Sequence, residues 1–331
     1  MRVAVIGGGS WGTALAIHCA RAGHEVALWA REPEVVEGIR ESRRNPFFLS
    51  DVTLPSGVSA FSDVAEASAS AEAVFFVVPV QFAREVLREL RPCLGAETVL
   101  VSASKGIEVS TLARMDELVR EELGLPPERF AVLSGPTFAR EVAAGLPAAA
   151  VLAGASPRVL RALQEAFSNP SFRLYRSPDV VGVELAGALK NVVAIAAGMA
   201  TGLGLGHNAL AALMTRGLHE MARLGVKLGG LAETFRGLAG MGDLVLTCTG
   251  ALSRNRAVGE RLGRGEPLAQ VVAGREVAEG VPTAKAAAAL ARRHGVEMPI
   301  TFAVEAILEE KLSPREAVTA LMTRSLKEEL G

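Results

Sequence analysis

The sequence predicts an α/β protein in which a domain with a mostly parallel sheet precedes an all-α domain. Up to Ser177, short apolar runs alternate with segments of helical periodicity, which is the pattern of strand–helix–strand units. After Pro178 strand signals nearly vanish, and helical periodicity rich in Ala and Leu continues to the C-terminus. A chain of 331 residues also exceeds the usual size of one domain. We therefore expect a sheet domain over residues 1–180 and a helical domain over residues 181–331.

Seven segments are predicted as strands because they are compact, apolar and bounded by turn residues. They cover residues 2–6, 25–30, 73–78, 98–102, 130–134, 148–153 and 172–175. The connecting stretches predict helices at residues 13–22, 33–42, 82–90, 112–122 and 157–167. Later helices are predicted to cover residues 183–199, 209–224, 282–293, 302–311 and 314–327, and one more is predicted to begin near residue 253. Right-handed crossovers between successive strands would make the sheet mostly parallel.

The composition argues against several classes of partner. The formal net charge is −1, so nothing suggests a nucleic acid, and any anion site must be local. Cys19, Cys93 and Cys248 are scattered without CxxC or CxxH spacing, which fits a reducing cytoplasm rather than disulfides or a zinc site. The five histidines form no HxxxH pair, and we predict no metal.

No segment is predicted to cross a membrane or to direct export. The first residues form a short strand that runs into glycines, unlike the charged and apolar regions of a signal peptide. The apolar run around Val192 is interrupted by Lys190 and by the glycines of residues 198–206, so no membrane span is expected there. We expect a cytoplasmic protein.

A glycine-rich turn follows the first predicted strand directly. Gly7, Gly9 and Gly12 form the GxGxxG pattern between that strand and a helix, and a second strand follows. This context is that of a dinucleotide-binding βαβ unit, so the first domain is expected to be Rossmann-type. The glycines allow a tight turn and close approach of the backbone, while the helix N-terminus faces the pyrophosphate. The alternative is a glycine-rich turn in another α/β fold.

The end of the second strand bears on the choice between NADP and NAD. An acidic residue there usually binds the ribose 2′-hydroxyl, whereas an arginine accommodates a 2′-phosphate. Arg31 comes first and Glu32 follows it, so the sequence favours NADP and leaves NAD open. The alternative for Arg31 is an ordinary solvated surface arginine.

Residues 183–199 predict a buried helix with a lysine in its middle. The segment lacks proline and is apolar nearly all round, yet it contains Lys190 and Asn191. A buried lysine is costly unless it is paired or loses its proton. Only six of the 35 basic residues are lysines, so this position suggests a need for a group that can titrate. The alternative is that Lys190 reaches solvent from the edge of the helix.

Further polar residues are expected near the carboxyl ends of the strands, where parallel sheets bind ligands. Lys105 follows the fourth strand at a turn bounded by Gly106 and would face the crevice, although loop lysines are common. Gly135 and Thr137 follow the fifth strand. Asp243 comes just after glycines in the helical domain, where its carboxylate could face a cleft.

A candidate phosphate site lies at a predicted helix start. Ser253 is the expected N-cap, and Arg254 and Asn255 follow it. Together they offer N–H groups, a hydroxyl, a guanidinium and an amide, which suit a phosphate monoester. The alternative is ordinary capping beside an exposed arginine.

These features together predict hydride transfer to or from a carbon that bears oxygen. Such a reaction needs a proton donor or acceptor at the oxygen, and a lysine whose pKa is lowered by burial and by a neighbouring cation can serve at neutral pH. Lys190 is the expected proton-transfer residue, and Lys105 is the expected neighbouring cation. Asp243 would limit the lowering of the Lys190 pKa and orient its ammonium group.

Eight motifs link the chain to a known family: GGGSWGTALA, SASKGIE, SGPTFAREVAAGLP, GALKNVVAIAAGM, TRGLHEM, GMGDLVLTC, SRNRAVG and VAEGVPTAKA. Through them the chain resembles, essentially from end to end, the bacterial NAD(P)-dependent glycerol-3-phosphate dehydrogenase family. The resemblance implies reversible reduction of dihydroxyacetone phosphate to sn-glycerol 3-phosphate for phospholipid synthesis, with Lys190 as proton acceptor in the oxidation direction. It implies contacts to a small phosphorylated substrate from Lys105, Gly135, Thr137, Lys190, Asn191, Asp243, Ser253, Arg254 and Asn255. It implies cofactor contacts from Ser10, Trp11, Arg31, Lys105, Ala139, Arg254, Val277 and Glu279.

Two alternatives stay open at this point. A reductase of the β-hydroxyacid or ketopantoate type would share the architecture, but its carboxylate substrates suit the helix start at residues 253–255 less well than a phosphate does. A dinucleotide-binding sensor without turnover would give Lys190, Lys105 and Asp243 no reason to converge. The C-terminal helices are expected to serve packing and subunit contact in a homodimer.

Overall fold

The computed structural model describes residues 1–273, 278–326 and 328–329, and these contain a single eight-stranded sheet. The strands are β1 (Arg2–Ile6), β2 (Glu25–Trp29), β3 (Val58–Phe61), β4 (Ala73–Phe76), β5 (Val99–Ser102), β6 (Phe130–Ser134), β7 (Ala148–Gly154) and β8 (Phe172–Ser177). Their order is β3-β2-β1-β4-β5-β6-β7-β8. Strands β6 and β7 pair antiparallel, and the other neighbours pair parallel. The expected mostly parallel sheet is confirmed.

Both faces of the sheet are covered, because successive strand residues point to opposite sides. Val3 and Val5 of β1 belong to one apolar core, whereas Ala4 and Ile6 belong to another. The helices of this half are α1 (Ser10–Arg21), α2 (Pro33–Ser42), α3 (Val64–Ser68), α4 (Ala83–Leu90), α5 (Met115–Leu123), α6 (Ala139–Ala144) and α7 (Pro157–Phe167). Helices α1, α2, α6 and α7 pack on the first side, and α3, α4 and α5 pack on the second.

The described residues after β8 are helical and contain no further strand. The helices are α8 (Val180–Gly202), α9 (Gly206–Lys227), α10 (Ala232–Arg236), α11 (Asp243–Thr249), α12 (Arg254–Gly263), α13 (Leu268–Val271), α14 (Gly280–Arg293), α15 (Pro299–Leu308) and α16 (Pro314–Met322). One apolar core contains both Phe76 of β4 and Leu185 and Leu189 of α8, so α8 packs directly against the sheet half. The division of the chain at residue 180 stays a prediction.

Six short elements were missed, namely β3, α3, α6, α10, α11 and α13, and several helix ends differ from the sequence-based expectation. Strand β3 is only four residues long and forms by pairing with β2, while α3 and α6 have five and six residues. Helix α5 starts later than predicted because Leu112 has a positive φ of 66°, which a helix does not allow. Helix α15 starts earlier, at Pro299, and the chain leaves it before Glu310, whose φ is 57°.

Helix α8 is the central helix of the molecule. Among the described residues it alone is long and apolar enough to cross a membrane, but 83% of its most apolar window is buried inside the structure. It is therefore placed as a core helix. Asp179 caps its first turn by accepting a hydrogen bond from the Gly182 N–H at 2.8 Å.

Glycines bring the backbones of α8 and α12 into direct contact. A Cβ added to Gly198 of α8 would lie 2.0 Å from the carbonyl oxygen of Arg256. A Cβ added to Gly259 of α12 would lie 1.9 Å from the carbonyl oxygen of Ile195. Because no side chain fits at either position, the start of α12 is held at a fixed place relative to α8.

Candidate active site

A cleft of about 840 Å³ lies beyond the carboxyl ends of β1, β2, β4, β5 and β6, where the sequence places the ligand. The sheet half contributes the glycine turn, the ends of the strands and the start of α6. The helical half closes the other side with residues of α8, α11 and α12. Among the residues that line the cleft are Gly7, Gly9, Ser10, Trp11, Gly12, Arg31, Glu32, Phe82, Lys105, Thr137, Ala139, Lys190, Asn191, Thr247, Ser253, Arg254, Asn255 and Glu279.

The glycine turn forms a cradle that a dinucleotide fits. A Cβ on Gly12 would lie 1.8 Å from the Gly7 carbonyl oxygen, and Gly7 itself has a φ of 131°, so both positions require glycine. Gly9 is the N-cap of α1 and offers no side chain to the first N–H groups of the helix. Those N–H groups are therefore available to an anion such as a pyrophosphate.

The end of β2 carries both residues that bear on the nicotinamide type. The Arg31 side chain is 72% exposed, and its Nη2 lies 3.5 Å from Glu32 Oε1. Its guanidinium lies 5.8 Å from the centre of the Phe82 ring. Arg31 and Glu32 both line the cleft, so the preference for NADP stays a prediction.

Lys190, Asp243 and Lys105 meet at the base of the cleft. Asp243 accepts a hydrogen bond from the Lys190 ammonium at 2.6 Å through Oδ1 and one from the Lys105 ammonium at 2.8 Å through Oδ2. Lys190 is only 6% exposed, so the alternative in which it reaches bulk solvent is wrong. The predicted convergence of these three residues is present in the structure.

The electrostatic surroundings hold Lys190 ready to give or take a proton. The pKa of Lys190 is lowered to about 8, mainly by burial; the charge of Asp243 opposes this shift, and the charge of Lys105 adds to it. Burial would raise the pKa of Asp243, but the two ammonium groups outweigh it and keep that pKa below its usual range. Burial, more than the neighbouring cation, causes the shift of Lys190.

Thr247 belongs to the same cluster and was missed from the sequence. Its hydroxyl accepts a hydrogen bond from the Lys190 ammonium at 2.7 Å and donates one to the Asp243 carbonyl oxygen at 2.6 Å. A π-helical turn, Leu238–Gly242, leads into α11 and presents Asp243 and Thr247 on one face. The i, i+4 spacing in DLVLT was the signal that could have revealed Thr247.

The start of α12 combines capping with free donors, as expected. The Ser253 hydroxyl caps the helix by accepting from the Arg256 N–H at 3.2 Å, which confirms the predicted N-cap. Asn255 uses Oδ1 to accept from the Gly280 N–H at 2.9 Å. Arg254 forms no ion pair with any residue of the described ranges and lines the cleft.

The remaining candidate residues divide into three groups. Thr137, Ala139, Asn191 and Glu279 line the cleft as expected, and burial raises the pKa of Glu279 against the opposing charges of Arg254 and the two lysines. Gly135 lies at the end of β6 with a φ of 153°, outside the cleft lining. Val277 falls outside the described residues. Within residues 1–273, 278–326 and 328–329, no three His, Cys, Asp or Glu side chains group as metal ligands.

A dinucleotide cradle that faces a buried, titratable lysine is the arrangement of a nicotinamide-dependent oxidoreductase. Comparison with known families agrees and is more specific. The N-terminal model of NAD-dependent glycerol-3-phosphate dehydrogenase matches residues 2–159, and the C-terminal model of that enzyme matches residues 179–319. The chain belongs to the NAD-dependent glycerol-3-phosphate dehydrogenase family.

Individual relatives match over the full length. A glycerol-3-phosphate dehydrogenase (NAD(P)+) of Nitratidesulfovibrio vulgaris strain DP4 is 55% identical over 331 residues, covering 99% of this chain and 100% of the relative. The Geobacter sulfurreducens enzyme of the same name is 54% identical over 332 residues, covering 99% and 98%. The crystal structure of glycerol-3-phosphate dehydrogenase from Coxiella burnetii is 41% identical, with a TM-score of 0.94 and coverage of 98% and 99%.

A ketopantoate reductase structure from Ralstonia eutropha covers 96% of this chain at 17% identity and a TM-score of 0.62, which is a likeness of fold alone. The ketopantoate-type alternative is thus similar to this chain in architecture. Family membership, by contrast, rests on two family models that match residues 2–159 and 179–319 and on a relative that is 55% identical over the full length.

Proposed function

We propose that the protein reversibly reduces dihydroxyacetone phosphate to sn-glycerol 3-phosphate with NADPH or NADH. One observation carries the proposal. Lys190, with a pKa of about 8, shares Asp243 with Lys105 in a cleft that has a dinucleotide cradle on one side and the α12 start on the other. The names of the full-length relatives support the same substrate and cofactor.

The cradle residues fit the nicotinamide cofactor. Gly7, Gly9 and Gly12 would hold its pyrophosphate at the start of α1, beside Ser10 and Trp11. When bound, the cofactor supplies a hydride to the carbonyl carbon of the substrate. Arg31 is proposed to meet a 2′-phosphate, which makes NADPH the preferred form.

The side chains of this protein then bind the substrate and manage the proton. The Arg254 guanidinium and the Asn255 amide bind the phosphate at the start of α12. Lys105 places a positive charge near the carbonyl oxygen, where negative charge develops. Lys190 donates a proton to that oxygen in reduction and accepts it in oxidation, while Asp243 and Thr247 orient its ammonium group.

Several broader expectations belong to this proposal. Residues 1–180 would hold the cofactor, and residues 181–331 would complete the substrate site. The protein would act as a cytoplasmic homodimer that supplies glycerophospholipid synthesis. Its product, a glycerol phosphate, carries the backbone and the phosphate that such lipids require.

The decisive experiment measures oxidation of NADPH and NADH with dihydroxyacetone phosphate and with unphosphorylated dihydroxyacetone. We expect turnover with the phosphorylated ketone, a much lower kcat/KM without phosphate, and a lower KM for NADPH than for NADH. Arg31→Ala should raise the KM for NADPH more than that for NADH. Absence of turnover with both cofactors would refute the proposal and favour a sensor.

A further inference from the structure

A short segment between α2 and β3 forms one wall of the cofactor cleft. We call residues 46–51 the 46–51 wall. Phe47, Phe48, Leu49 and Ser50 of this wall line the cleft. The rings of Phe47 and Phe48 lie 6.5 Å apart, edge to face, so the wall offers a rigid aromatic surface beside the glycine cradle. The segment has no regular secondary structure, so side chains must hold it in place.

Asn45 joins this wall to the glycine cradle. It is 0% exposed and does not line the cleft, so it does not touch a ligand there. Its Nδ2 donates to the Gly8 carbonyl oxygen at 2.8 Å and to the Thr13 hydroxyl at 2.9 Å. Its Oδ1 accepts from the N–H groups of Phe47 at 3.2 Å and Phe48 at 3.1 Å. One amide therefore ties two cleft walls together, and both ends of that amide are satisfied.

A second tie holds the far end of the wall. Arg140 of α6 lies 2.8 Å from the Asp51 carboxylate, and both side chains are more than half exposed. An exposed ion pair of this kind contributes little. Phe47, Phe48 and Leu49 also pack against the apolar core of the sheet half, but apolar packing is not directional. The buried Asn45 network is therefore the polar tie that fixes the 46–51 wall relative to the cradle.

We propose that Asn45 is a positioning residue for the nicotinamide cofactor. By fixing the 46–51 wall to Gly8 and Thr13, it sets the width of the cleft in which the dinucleotide lies. This inference rests on the proposed function only for the identity of the ligand. Loss of the amide should weaken cofactor binding and leave substrate binding and the chemical step in place, because Lys190 and Arg254 belong to other elements.

The test compares Asn45→Ala and Asn45→Asp with the wild-type protein. Asn45→Asp keeps the acceptor for Phe47 and Phe48 but replaces the donor that faces Gly8 with an oxygen. We expect the Kd for NADPH, measured by fluorescence titration, and the KM for NADPH to rise about tenfold in both variants. At saturating NADPH, kcat and the KM for dihydroxyacetone phosphate should stay within about twofold of wild type.

Asn169→Ala is the matched control. Asn169 makes the same kind of turn, with Oδ1 accepting from Ser171 at 2.9 Å and Phe172 at 2.8 Å, but it does not line the cleft. It should lower Tm and leave the Kd for NADPH unchanged. An unchanged Kd in both Asn45 variants, or an equal rise in the Asn169 variant, overturns the positioning role.

Two further outcomes are separable. If the Asn45 variants do not fold, Thr13→Val decides, because it keeps the shape of the side chain and removes the hydroxyl that accepts from Asn45 Nδ2; a Kd for NADPH about threefold higher supports the inference, and an unchanged Kd overturns it. A wild-type protein that binds NADPH without reducing dihydroxyacetone phosphate contradicts the proposed function alone. In that case the Kd series still tests Asn45.

Discussion

Two clusters of ion pairs in this molecule have opposite designs. In the cleft, Lys190 and Lys105 share the single carboxylate of Asp243, and all three side chains are largely buried. On the outside of the sheet half, Arg84 and Arg88 pair with Glu108, Glu121 and Glu122. The first cluster has more positive than negative groups, and the second has more negative than positive groups.

The two clusters differ in how their surplus charge is compensated. In the outer cluster, which joins α4 to α5, Arg88 and Glu121 are exposed and screened by solvent. The largely buried Glu108 and Glu122 each pair with Arg84, so the members stabilise one another without needing a ligand. The cleft cluster has no such screening, and its surplus positive charge costs free energy until an anionic or polarised oxygen enters. Substitutions in the cleft should therefore change chemistry, and substitutions in the outer cluster should change only stability.

The largest effect is expected for Lys190→Ala. Removing the proton-transfer group should lower kcat in both directions by about 10³-fold, while the Kd for NADPH stays near the wild-type value. Steady-state kinetics and fluorescence titration measure the two quantities. Lys311→Ala, which removes an exposed lysine paired with Glu309, is the control and should be silent. Near-normal turnover of Lys190→Ala would remove the distinction between the clusters.

Arg254→Ala should have the next largest effect. Loss of a charged donor to the phosphate should reduce kcat/KM for dihydroxyacetone phosphate about 100-fold and should barely change kcat/KM for unphosphorylated dihydroxyacetone. Arg264→Ala, near the other end of the same helix and paired with Glu260, serves as the control. An equal loss with both ketones would contradict the phosphate assignment.

The dependence on pH should show the state of Lys190. In reduction the charged ammonium donates the proton, so kcat/KM should fall about tenfold per pH unit above a pKa of about 8. In oxidation the neutral amine accepts the proton, so kcat/KM should rise with pH and level off above the same pKa. Circular dichroism at each pH controls for unfolding. If kcat/KM changes slope near pH 8 in neither reduction nor oxidation, Lys190 is not the titrating group.

The smallest effect is expected in the outer cluster. Arg88→Gln removes the pair to Glu122 but leaves Arg84 bound to the same carboxylate. Tm should fall by roughly 1–2 °C, and kcat/KM should not change. Thermal unfolding and steady-state assays of one preparation measure both. A loss of activity would mean that the outer cluster influences the cleft and that the two clusters are not functionally separate.

The sequence predicted the elements whose signals are local. The first strand, the glycine turn and the helix after it are marked by a buried apolar run, by glycines and by a helical pattern within twenty or so residues. Strand β3 carries no such signal, because four residues give too little alternation and its formation depends on pairing with β2. The start of α5 depends on the left-handed backbone of Leu112, which its residue type does not indicate.

The site shows the same limit at the level of side chains. Lys190 was predictable because a lysine in an apolar helix conflicts with its surroundings, and such conflicts mark functional positions. The role of Asn45 was not predictable, since an asparagine before a proline is ordinary turn sequence. Its role depends on Gly8 and Thr13, which only the folded chain brings next to it. The main cause of the lowered Lys190 pKa, which is burial, could likewise be identified only from the structure.

The glycine contact between α8 and α12 fixes the spacing of these two helices. Lys190 lies on α8, and Arg254 is the first residue of α12. Because the two backbones are in direct contact at Gly198 and Gly259, the helices cannot move closer together. The main chain thereby fixes the spacing of the two helix positions that carry the proposed proton donor and the proposed phosphate-binding arginine. We expect the cleft to select substrates by the number of atoms between phosphate and carbonyl, and a homologue of dihydroxyacetone phosphate with one extra carbon there should be a poor substrate.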